Sequence, residues 1–306
     1  MEISLITLQQ TAVMLLYMAG GYLLFRTKKI SAEGSRSLAS MLITLIIPCV
    51  IVRSFCVEPT AEKIGQLAQS ALLAALFLLL AMLAAALIYR KNPIDNFSSA
   101  FSNAGFIGIP LIQATLGEEA VFYIVAYVAL LSILQWSYGV YVLTRRRELL
   151  KIKPLLWNPI VGGTVIGLVL FFTGWGVRLP SVLNTALSGA ASLNAPIAMM
   201  VLGIYLAQTP IRSMLTTPRL YAVCAVRLLL IPLATLALLL AIPAPNDLRL
   251  ALLLTAAAPI GANVAVYAQL HNLDYAYACK AVTLSTLLSC VTLPLFPLLF
   301  TALTGM

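Results

Sequence analysis

The chain has 306 residues, of which 61% are hydrophobic and only 9% charged, with a mean hydropathy of +1.00. Water-soluble domains carry about 25% charged residues, so a soluble globular fold is excluded. Nineteen Lys and Arg against ten Asp and Glu give a net charge of +9, but they are scattered between apolar runs, which excludes a nucleic-acid-binding patch.

A helix that crosses about 30 Å of hydrocarbon needs about 20 mostly apolar residues. Read from one polar stretch to the next, the chain predicts an all-α polytopic membrane protein of ten transmembrane helices. The spans cover residues 4–25, 37–57, 64–89, 94–115, 119–143, 155–176, 183–208, 219–242, 248–270 and 275–301. The apolar runs are continuous rather than alternating, which rules out barrel strands. The first run has no basic segment before it and carries its positive charges on the far side, so it reads as span 1 rather than a secretory signal. All five cysteines fall inside apolar spans at irregular spacing, a packing pattern rather than a disulfide or metal framework.

Basic residues set the orientation. Arg26, Lys28, Lys29, Arg36, Arg90, Lys91, Arg145, Arg146, Arg147, Lys151, Lys153, Arg212 and Arg219 follow spans 1, 3, 5 and 7, against only Lys63, Arg178 and Arg249 on the other side. This predicts both termini outside and the Arg145–Lys153 link in the cytoplasm.

That link divides the chain into five-span halves, residues 1–150 and 151–306. Because five is odd, a repeated unit enters the membrane in opposite senses, an inverted repeat. Prolines support the pairing: Pro48 and Pro196 are 148 residues apart, Pro110 and Pro259 are 149 apart. In span 4, Asn103, Gly105, Gly108 and Pro110 cluster, with Gly105 about 15 Å from Asp95 at 1.5 Å per residue, the depth of the bilayer centre. In span 9, Pro259, Gly261 and Asn263 reach a similar depth. Proline removes a backbone donor and clashes with the preceding turn, and irregular backbone at that depth is tolerated only against protein or a water-filled cavity. Two such breaks in corresponding halves predict a transport site, whose half-helix N-termini each present about half a positive charge, suited to a small carboxylate. For either segment alone, a kink that merely bends a packed helix is the alternative.

These residues resemble the auxin efflux carrier family of membrane transporters. The carrying stretches are Asn103 through Leu111, Gly117 and Ala120, then Asn158-Pro159 with Gly162 and Gly167. The third runs from Ala258-Pro259 and Gly261 through Tyr267-Ala268 to Ser285 through Ser289 and Leu293-Pro294. The resemblance implies two inverted five-helix repeats, a fold shared distantly with bile acid–sodium symporters. It implies that helices 1, 2, 6 and 7 form a scaffold and homodimer interface, while helices 3–5 and 8–10 move as a transport domain in an elevator-type cycle. Broken helices 4 and 9 would cross within that domain with substrate beside the crossing. Plant members have a further proline near Val264 and a long central loop. The short link here points instead to a bacterial permease for malonate, malate or related acids in the cytoplasmic membrane.

Every acidic residue lies in a loop or at a span end, so a buried-carboxylate proton relay is not expected. No cofactor is expected. Sodium coupling is the alternative, with Asn103, Thr115, Asn263 and Gln269 as neutral oxygen ligands. Arg53, Arg227 and Lys280 fall inside spans. Arg53 and Lys280 are shallow enough to snorkel, whereas Arg227, about 12 Å deep by helical rise, is either a substrate-attracting charge or a helix-end partner. Asn194, beside Pro196, faces substrate or bonds a neighbouring helix. A membrane-embedded enzyme lacks its chemistry here: the only histidine is His271, in a loop, and no acidic pair lies at depth. No Gly-Lys-Ser/Thr nucleotide loop appears either. A channel is the third reading, distinguished from a carrier by unsaturated conductance.

Overall fold

A computed structural model describes residues 2–146, 148 and 157–305. The greater part of the basic link and the first residues of the sixth predicted span lie outside the described residues. The helices are α1 (Glu2–Arg26), α2 (Ala32–Ser54), α3 (Ala61–Ile88), α4 (Pro93–Ala100), α5 (Ala104–Leu116), α6 (Glu118–Thr144) and α7 (Pro159–Thr173). They continue with α8 (Ser181–Gln208), the short α9 (Ile211–Leu215), α10 (Pro218–Ala241), α11 (Asn246–Ala257), α12 (Asn263–Leu270), α13 (Tyr275–Thr292) and α14 (Leu295–Thr304). Among the described residues no β-strand forms beyond one isolated antiparallel bridge, Ser102 with Ile260.

Among the described residues, six helices are long and apolar enough to cross a membrane, α1, α2, α3, α6, α8 and α10, or seven if α13 and α14, bent by 42°, make one span. The other predicted spans take a different form. Spans 4 and 9 are each divided into two short helices, and α7 has 15 residues.

Local chemistry accounts for these boundaries. Ser31, Thr60, Asn158 and Asp274 cap helix starts, their side-chain oxygens accepting backbone N–H groups of Gly34, Lys63, Ile160 and Tyr277 at 2.9–3.2 Å. Within spans, π-helical turns occupy Leu42–Ile46, Ala104–Gly108 and Val226–Leu230. Each ends two residues before a proline, Pro48, Pro110 or Pro232. A proline removes one N–H and its ring presses on the preceding turn, and one inserted residue widens that turn and relieves the clash. A fourth π turn, Gln135–Gly139, has no proline and lies in α6.

The first and second halves interlock through close backbone approaches. Gly21 of α1 lies against the backbone of Met200, and Gly203 of α8 against that of Met18, so a β-carbon at either would overlap a facing carbonyl. On α7, Gly163 lies on Pro48 and Gly167 on the Phe55 ring. Phe55, Phe122 and Phe171 form a buried aromatic cluster with ring centroids 5.3–6.1 Å apart. The α1–α8 and α2–α7 contacts hold helices of the two halves together around the broken segments.

Candidate functional site

The breaks at residues 101–103 and 258–262 meet. The Asn103 N–H donates to the Pro259 carbonyl at 2.7 Å, and the Gly261 N–H donates to the Phe101 carbonyl at 3.0 Å. Two groups that lost helical partners in one segment are thus satisfied by the other, as buried backbone requires. Ser285 of α13 accepts the Ile260 N–H at 3.1 Å. Gly261 sits in a close approach: a β-carbon there would come within 3.1 Å of the Ser102 carbonyl oxygen and 3.3 Å of Gln135 Nε2.

Past the crossing, α5 and α12 start afresh, and the N–H groups of a first helical turn have no intrahelical acceptor. Asn103 organises the start of α5. Its Oδ1 accepts the Phe106 N–H at 3.3 Å, and its carbonyl is shared by the Ile107 and Gly108 N–H groups at 3.0 and 3.1 Å. Its Nδ2 is buried and has no hydrogen-bond partner within the protein.

Both helix starts line one cavity of about 270 Å³. The first break contributes Ser102, Asn103, Gly105 and Phe106, and the second Gly261, Ala262 and Asn263. Helix α6 adds Ser132, Gln135 and Trp136, the start of α7 adds Trp157 and Asn158, and α2 adds Ile43 and Ile47. Asn263 Nδ2 donates to Gln135 Oε1 at 2.7 Å, and Asn158 Nδ2 donates to Ser132 Oγ at 2.7 Å. Trp136 meets Tyr267 edge-on with centroids 5.1 Å apart. Among the described residues lining the cavity there is no Asp, Glu, Lys, Arg or His. The electrostatic character of the site therefore comes from amides, hydroxyls and two helix N-termini, whose partial charges favour an anion.

Of the residues singled out in the sequence, Asn103, Gly105, Gly261 and Asn263 line this cavity. Pro259 supplies a crossing carbonyl, and Gly108 packs against Thr255 of α11. Pro110 is buried in α5, and neither it nor Gly108 lines the cavity. Thr115 Oγ1 donates to the Leu111 carbonyl at 2.7 Å and Gln269 is exposed, both away from the cavity. Asn194 is fully buried with neither side-chain amide atom hydrogen-bonded, and it also lies off the cavity. Arg53 donates through Nε to Ser188 Oγ at 3.0 Å.

Arg227 occupies the opposite side of the crossing. It is 0% exposed. One guanidinium nitrogen donates to the Ser99 and Ala100 carbonyls at 3.1 and 3.4 Å, and the other donates to the Ala256 carbonyl. Those are C-terminal carbonyls of α4 and α11, so the helix-end arrangement is the one present. Nearer the start of α4, buried Asp95 accepts from Arg219 Nε at 2.5 Å and from the Tyr277 hydroxyl at 2.8 Å. Ser132, Asn158 and the aromatic walls were not picked out as site residues from sequence. The Asn158-Pro159 helix start was the available signal for one of them.

No curated protein sequence matches the chain significantly. The profile of a family described as membrane transport protein matches it twice, over residues 6–155 and 149–297. The two matches divide near the link that separates the predicted halves and together span nearly the whole sequence, and the chain belongs to the auxin efflux carrier family of membrane transport proteins.

Proposed function

We propose that this transporter is a secondary or potential-driven carrier of small organic carboxylate anions in the cytoplasmic membrane. The single observation that carries the reading is the convergence of two helix N-termini, α5 and α12, on a cavity with amide donors and no ionised side chain among its described lining residues. An anion there is held by backbone dipoles. A cation would face two partial positive charges.

Counting α4–α5, α11–α12 and α7 as crossings, beside the seven longer spans, gives ten. On that count residues 1–150 and 151–306 are inverted five-helix repeats, with helices 1, 2, 6 and 7 as a dimeric scaffold. Helices 3–5 and 8–10 then move as an elevator, carrying the crossing. The excess of basic residues supports both termini outside, and on that orientation Trp157, exposed and lining the cavity, faces the cytoplasm. An inside-negative potential drives a monoanion outward by about 2.3 kcal/mol per 100 mV.

Reconstitution into proteoliposomes with labelled malonate and malate tests this. The expected result is saturable flux of chemically unchanged acid, accelerated by a potential of the appropriate sign. Saturable transport of a cation or neutral sugar with no carboxylate flux overturns the reading.

A further inference from the structure

We infer that Arg227 is a positioning residue for the anion site, raising carboxylate affinity without touching the carboxylate, by neutralising the carbonyl ends of the two broken helices. This rests on the carboxylate reading above. Four half-helix ends meet at the crossing. Two are N-termini that line the cavity, at Asn103–Phe106 and Gly261–Asn263. The other two are the C-termini of α4 and α11, and Arg227 donates to both, at Ser99, Ala100 and Ala256. Each C-terminus carries a partial charge of about −0.5, so the pair amounts to about −1, matched by one guanidinium. Left bare, those ends would cancel much of the attraction that the N-termini exert on an anion.

Three observations favour an electrostatic role over a mere clip. Arg227 is wholly buried, and among the described residues no carboxylate pairs with it: the one ion pair there is Arg219 with Asp95. A fixed buried charge without an acidic partner is costly, and neutral donors would satisfy the same carbonyls more cheaply. Third, Arg227 does not line the cavity, so it does not form the direct guanidinium–carboxylate contact that would hold a substrate too tightly to release.

The experiment measures binding of malonate and of its uncharged isostere malonamide to the purified full-length protein by isothermal titration, in wild type, Arg227→Gln and Arg227→Lys. Melting temperature and size-exclusion profile are recorded for each. The expected result is malonate affinity about tenfold or more weaker in Arg227→Gln, the scale of a helix-end charge in a buried setting. Any malonamide binding stays within about twofold, and Arg227→Lys holds malonate within about threefold of wild type even where its melting temperature falls. Unchanged malonate affinity in folded Arg227→Gln, or equal loss of both ligands, overturns the inference while leaving the carboxylate reading intact. If Arg227→Gln does not fold, the Lys variant decides: a folded protein that keeps the charge and still loses malonate tenfold refutes the charge mechanism. Wild-type protein that binds no carboxylate refutes the parent reading, and the inference with it.

Discussion

Asp95, Arg219 and Tyr277 bring together the beginnings of α4, α10 and α13, and removing the carboxylate measures what that junction contributes. Asp95 is fully buried, whereas the Arg219 side chain is 50% exposed. Breaking a wholly buried pair costs about 3–5 kcal/mol, while an exposed pair contributes about 0–1 kcal/mol. With one partner in solvent the pair falls between these limits, at about 1–2 kcal/mol. The Tyr277 hydroxyl adds a hydrogen bond of 2.8 Å to a charged acceptor, a class worth about 1.5–3 kcal/mol. Asp95→Ala therefore loses about 3 kcal/mol, whereas Asp95→Asn keeps an acceptor for Tyr277 and loses about 1–2 kcal/mol. A double-mutant cycle with Arg219→Ala, followed by reversible denaturation in mixed micelles, isolates the pair. The expected coupling is about 1–2 kcal/mol, well above the 0.3–0.5 kcal/mol scatter of independent sites. Additive single mutants would refute the claim that this ion pair ties the three helices together.

Asn103→Ala removes the oxygen that accepts the Phe106 N–H, at a cost near 1 kcal/mol for a lost cap. It is expected to abolish most saturable malonate flux while the protein still elutes as a folded species on size exclusion. Gln135→Leu leaves Asn263 Nδ2 without its acceptor, and because the cavity admits water the stability loss is at the low end of about 1–3 kcal/mol. Flux assays are expected to show a raised KM. Gly203→Val drives a side chain into the Met18 backbone and destabilises the α1–α8 contact by about 3 kcal/mol or more, beyond ordinary overpacking, because main chain must yield. The yield of monodisperse protein after purification reports it, and unchanged yield would mean that the helices slide apart freely.

How much of this was legible beforehand depended on whether a residue's role follows from depth or from direction. Asn103, Gly105, Gly261 and Asn263, which line the cavity, are legible as neighbours of a break because proline and glycine at the bilayer centre announce one wherever the helix happens to face. Direction is harder, since each residue turns an α-helix by about 100° and one π insertion rotates every later side chain. Such insertions precede Pro48, Pro110 and Pro232, and another holds Gln135. Pro110 and Gly108 share a segment with Asn103 yet turn away from the cavity, and Arg227 sits within a π turn that aims it at carbonyls instead. Asp95 shows the converse limit. Counted along the sequence it is a span-end acid, and only the packing of α10 and α13 over α4 buries it.

The separation of charge from cavity bears on why a carrier would be built this way. A carboxylate gripped by a buried guanidinium makes paired, charge-assisted hydrogen bonds, and releasing it would mean leaving that cation unpaired in a medium where the cost is several kcal/mol. Here Arg227, fully buried at the crossing, has its partners within the protein, in the Ser99, Ala100 and Ala256 carbonyls. The cavity presents helix N-termini and amides, and no ionised side chain among its described lining residues, so vacating it strands no side-chain charge there. On the proposed reading, affinity would then follow more from how the helix ends are held than from the side chains that line the wall.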